Sequence, residues 1–91
     1  FDSAVKENLP KLKLFVPVVD RVHGPTHPEF HEVKALFDTV VEKLDAGEVD
    51  VSAEFAKLRE VTGDYTVPSD VCESYEAVYV MLSELDAASR S

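Results

Sequence analysis

The chain has 91 residues, enough for one small domain. Its 18 acidic residues against nine Lys and Arg leave a net charge of −9, which argues against partners held through nucleic-acid phosphates or anionic membrane surfaces. A single cysteine, Cys72, excludes an internal disulfide, and no apolar run is long enough for a membrane span or follows a charged leader. These features predict a soluble, cytoplasmic protein. The chain starts at Phe1 rather than a methionine, so it is expected to be part of a longer protein.

Residues 2–23 read as the first helix. Asp2 or Ser3 can cap it. Val5, Leu9, Leu12, Phe15 or Val16, Val19 and Val22 recur in steps of three and four, and Leu14 and Val18 widen that face, so heavy burial is expected. Pro10 and Pro17 each remove a helical hydrogen bond, which predicts a kink or a break near Pro17. The corner that follows, His23-Gly24-Pro25-Thr26-His27-Pro28, stops one helix and starts the next, with Thr26 or His27 as cap.

The second helix, 28–46, is the clearest. Phe30, Val33, Phe37, Val40 and Leu44 make its stripe, and Gly47 is a natural stop. A short third helix over 52–62 is capped by Ser52 and buries Phe55, Leu58 and Val61 or Thr62. Gly63 ends it, and residues 64–68 read as an extended connection. The fourth helix, 69–88, opens on Ser69 and carries Val71, Cys72, Tyr75, Val78, Tyr79, Leu82 and Leu85, then frays from Ala87 to Ser91. Four striped helices with short connections and no alternating segment predict an all-α, up-down four-helix bundle forming one domain over 1–91.

His23, His27 and His31 are spaced by four, but the Gly24-Pro25 break leaves only His27 and His31 able to share a helix face. Two imidazoles at that spacing can bind a transition metal once further ligands converge. The plainer reading is favoured: His27 caps the helix, His31 is a surface residue, and His23 points inward or bonds a turn carbonyl. Cys72, in the first turn of the last helix, could gain reactivity from the helix dipole. No partner base stands near it in sequence, so a small buried side chain is the expectation. Asp45, Glu48, Asp50 and Glu54 lack the spacing and glycine of a calcium loop and read as a solvated turn.

Two stretches together resemble the hemerythrin-like family of di-iron proteins that repair iron–sulfur clusters. One runs through Leu9-Pro10-Lys11-Leu12, Val19-Asp20-Arg21-Val22-His23-Gly24 and His27-Pro28-Glu29-Phe30. The other is Tyr65-Thr66-Val67-Pro68-Ser69-Asp70-Val71-Cys72 with Tyr75 and Tyr79. The resemblance covers about half the chain. It implies a four-helix bundle, a di-iron centre between the helices, and repair of clusters damaged by nitric oxide or oxidants, with damaged iron–sulfur proteins as partners. It also implies that His23 occupies a metal-ligand position and that Asp2 stands where the family carries a histidine.

The remaining ligand positions are not matched. Where the family's second helix ends in His-x-x-x-Glu, this chain reads Leu44-Asp45-Ala46-Gly47-Glu48. The loop that follows in the family, and the histidine opening its third helix, have no counterpart, so a shortened middle connection or truncation is expected. The last His-x-x-x-Glu pair would begin just past Ser91. With His23 and Asp2 as the only candidate ligands, little or no stable iron binding is expected. The rival expectation is a metal-free helical module for protein interaction or homodimerisation, using the wide apolar stripes of the first and last helices.

Overall fold

The computed structural model describes residues 2–48 and 50–90, and of Asp2 only the backbone. Four helices make up the regular structure among them: α1 (Asp2–His23), α2 (Glu29–Asp45), α3 (Ser52–Thr62) and α4 (Glu73–Arg90). Each packs on two others. α1 lies against α4 and α2, and α3 lies against α2 and α4, which closes a four-helix bundle of 35 × 22 × 19 Å.

α1 runs unbroken through Pro10 and Pro17, so the break considered near Pro17 does not occur. Both prolines are exposed and stand seven residues apart on one side of the helix. The carbonyls that lose an N–H partner there can be satisfied by water, which lowers the cost of an internal proline. The buried side of α1 is Leu9, Leu12, Val16 and Val19. Val22 was expected to belong to that stripe, and Leu14 and Val18 to widen it, but all three are exposed. At about 100° per residue, Leu14 stands well over a quarter-turn from both Leu12 and Val16, so both sets cannot face one core.

α2 buries Phe30, Val33, Phe37 and Val40, four of its five stripe positions, while Leu44 is half-buried. Pro28 occupies its N-cap without a side-chain bond, so neither Thr26 nor His27 caps it. The helix closes as expected near Gly47, which takes φ +83° while the Glu48 amide donates back to the Lys43 carbonyl at 2.9 Å.

At α3 the capping group is Asp50 rather than Ser52. The Asp50 carboxylate accepts from the Ser52 amide at 3.2 Å and the Ser52 hydroxyl at 2.7 Å, and these bonds hold its pKa below the usual value. Gly63 ends α3 in the left-handed region, as a C-terminal glycine should. The left-handed path then continues through Asp64 (φ +59°) and Tyr65 (φ +62°), where side chains make it costly. Residues 64 and 65 are therefore not extended: the turn is closed by the Thr66 amide on the Thr62 carbonyl and the Tyr65 amide on the Thr62 hydroxyl.

α4 begins later than its sequence suggests. Its first backbone bond is the Glu76 amide to the Cys72 carbonyl at 3.2 Å, which leaves Ser69 and Asp70 in a turn outside the helix. It also ends later. Fraying from Ala87 is not observed up to Arg90, because Arg90 Nε returns to Asp86 at 3.2 Å and the Ser89 hydroxyl donates to the Asp86 carbonyl. Ser91 lies outside the described residues.

Tyr75, Tyr79, Phe30, Leu12, Leu58 and Leu82 fill the core. One full charge is buried with them. Asp86 has no exposed surface, yet its carboxylate accepts from Arg59 Nη1 at 2.5 Å, from the Tyr65 hydroxyl at 2.9 Å and from Arg90. Burial, followed by the bond to Asp86, pushes the Tyr65 phenol well above its ordinary pKa, so it stays a neutral donor. That bond also pins the strained left-handed residue from its far end.

Candidate functional site at the α1–α2 corner

Helix α1 ends at His23, and the His23 carbonyl organises the corner. It accepts from the His27 amide at 2.7 Å, the Thr26 amide at 3.1 Å and the Thr26 hydroxyl at 3.2 Å. Gly24 is needed for closeness rather than for its φ. A Cβ there would meet the Asp20 carbonyl oxygen and lie 2.5 Å from His31 Cε1. Glycine lets α2 fold back tightly enough to bring His31 over α1.

The three histidines separate into three environments. His23 Nε2 lies 3.1 Å from the Cys72 thiol, and its ring meets Tyr75 edge-on at 5.5 Å between centroids. The turn-carbonyl role considered for His23 thus falls to its own backbone oxygen, while its side chain reaches α4. His27 bridges two carboxylates, Glu29 at Nδ1 (3.0 Å) and Asp70 at Nε2 (3.1 Å). Only the doubly protonated ring can donate to both at once. His31 is exposed, as expected of a surface residue, and its Nδ1 stands 2.6 Å from Asp20 Oδ1. That contact is short but not aligned as a hydrogen bond, since the same oxygen has no hydrogen-bond donor.

Cys72 corrects the expectation of a small buried side chain: it is exposed, at the residue from which α4 springs. The reason is the late start of α4. Outside the helix, Cys72 is not held to the apolar face on which Tyr75 and Tyr79 sit. An imidazole beside an exposed thiol can accept its proton, so the pair is chemically capable of thiolate formation. Behind it, the Tyr75 and Tyr79 hydroxyls share a buried bond at 3.0 Å, and burial raises both phenols above their ordinary pKa. No pocket opens among the described residues.

Among the described residues the donor set does not suit a di-iron centre. No three His, Cys, Asp or Glu among the described residues converge as metal ligands. His23 faces a thiol and an aromatic ring, and both nitrogens of His27 are engaged by carboxylates. The Asp2 side chain lies outside the described residues, but its backbone opens the helix that His23 closes. At 1.5 Å per residue the two backbone positions stand about 31 Å apart.

Asp86 was missed by the sequence reading, although a signal was present. It follows Tyr75, Tyr79 and Leu82 at helical spacing, which puts an acid on an apolar face with Arg90 one turn later. Asp45, Glu48 and Asp50 are exposed, while half-buried Glu54 pairs with Lys43 at 3.0 Å, which raises the lysine's pKa.

No family model matches this sequence, and no solved structure matches the chain significantly. No helix among the described residues is long and apolar enough to cross a membrane.

Proposed function

We propose that the chain is a hemerythrin-like helical domain, related to the di-iron proteins that repair iron–sulfur clusters under nitrosative or oxidative stress, in which the scaffold persists without a working iron centre. The observation that carries this reading is spatial. The two stretches bearing the resemblance are far apart in sequence, yet they meet at one end of the bundle through His23 with Cys72 and Tyr75, and His27 with Asp70. The four-helix architecture supports it too. Among the described residues no three possible ligands converge, which supports a scaffold without a working iron centre. A cytoplasmic setting and damaged iron–sulfur proteins as partners belong to the same proposal.

Iron analysis of protein purified from iron-supplemented cells tests it. The expected content is far below one iron per chain in a fully helical protein. A content near two irons per chain would refute the loss of the centre.

A second reading, a metal-free helical module for protein interaction or dimerisation, is favoured by the exposed apolar stripe of α1. In a bundle whose other helices turn their stripes inward, Leu14 is 64% exposed, Val18 40% and Val22 60%.

A further inference from the structure

Charge is distributed unevenly over this acidic chain. The five cations outside α1 (Lys34, Lys43, Lys57, Arg59 and Arg90) all stand in ion pairs. The four on α1 (Lys6, Lys11, Lys13 and Arg21) are exposed, and none is paired among the described side chains. Acids outnumber bases two to one, so a helix of unpaired cations beside an exposed apolar stripe is not a shortage of partners. It is a placement away from them.

The adjoining helix has the opposite character. On α4, Glu73, Glu76 and Glu84 are exposed and unpaired among the described residues, and Val80, at 47%, is its one large exposed apolar side chain. The two surfaces also lean toward each other. Asp20 marks the α2 flank of α1 through His31, and Leu14, Val18 and Val22 lie around the helix from it, toward α4. Asp86 marks the α3 flank of α4 through Arg59 and Tyr65, and Glu73, Ala77 and Glu84 lie on the far side from it, toward α1.

We propose that this α1–α4 face is a dimer interface for a second copy of the chain, with α1 of each copy lying on α4 of the other. The inference deepens the second reading above and rests on it. α1 and α4 are antiparallel neighbours whose levels are matched where His23 meets Cys72. Below that level the helical rise places Val18 at about 8 Å, Leu14 at about 14 Å, and Val80 between them at about 12 Å. Lys11 and Glu84 both stand at about 18 Å. A two-fold axis along the bundle keeps these levels. It sets Val80 of one copy between Val18 and Leu14 of the other, and Lys11 against Glu84, twice over. Such an interface is closed and self-complementary, whereas α1 on α1 would oppose cations. A long face of the bundle, 35 Å by 19 or 22 Å, spans of the order of 700 Å² per copy, close to the ~800 Å² of a standard interface.

Sedimentation equilibrium of the whole chain over rising concentration tests this, with far-UV circular dichroism as the control for folding. The expected result is a species of twice the 10.1 kDa chain mass that weakens as salt rises. Leu14→Asp should raise the dimer dissociation constant about tenfold or more while helicity is kept. Lys11→Glu and Glu84→Lys should each weaken the dimer, and the double reversal should restore it. A monomer at every concentration overturns the interface and leaves the metal-free state to be judged by iron analysis. A dimer that ignores Leu14→Asp, or a double reversal no better than either single change, overturns this face while leaving self-association intact.

Discussion

The two ends of α4 handle polar groups in opposite ways. At its start, Cys72, His23, His27 and Asp70 meet in solvent-accessible contacts at 3.1 Å, each replaceable by water. Near its end, Asp86 is fully buried and answered by Arg59, Arg90 and Tyr65. A buried charge is tolerated only when its partners are all in place, and it then penalises every arrangement that removes them. The Asp86 end therefore specifies how α3, the left-handed turn and α4 fit together. The corner end leaves an exposed thiol beside a half-buried imidazole. Structural constraint and available chemistry lie at different ends of one helix.

Breaking the Asp86 end should have the largest effect. Asp86→Ala leaves the Tyr65 hydroxyl and the Arg59 guanidinium without their buried acceptor. Urea unfolding should show a loss of about 3 kcal/mol, since both arginines retain some access to water. A loss under about 1 kcal/mol would mean that the network is not a structural constraint. Gly24→Ala tests the corner end. Its Cβ would press on the Asp20 carbonyl and the His31 ring, and the backbone side of that clash cannot rotate away. The expected cost is about 2 kcal/mol, with the His23–Cys72 contact loosened. Unchanged stability would show that the corner can open without strain on the bundle.

What was legible in the sequence follows the same division. Periodicity located all four helices because apolar spacing is a local property, and Phe30, Val33, Phe37 and Val40 are buried as their spacing requires. The helix starts were less legible. Ser69 is a good capping residue, yet α4 waits until Cys72. Asp70 is meanwhile engaged by His27, a contact 43 residues away in sequence. Cys72 is exposed for the same reason. Leu14, Val18 and Val22 misled because exposed apolar residues look the same in sequence as core residues. The left-handed Asp64 and Tyr65 have no local signal, since their conformation is held by Thr62 and by Asp86 from α4. The candidate site was half legible: His23 and Cys72 each stood out, but their contact across 49 residues of chain did not.

In the proposed function this bundle holds itself together without iron. The most direct test is urea unfolding of the chelator-treated protein, with and without excess ferrous iron under anaerobic conditions. A metal that binds only the native state at a hundred times its dissociation constant adds about 2.7 kcal/mol. Full helicity without metal and the same unfolding midpoint in both samples are the expected result. A midpoint that rises with iron, or a chain that folds only when iron is supplied, would contradict it.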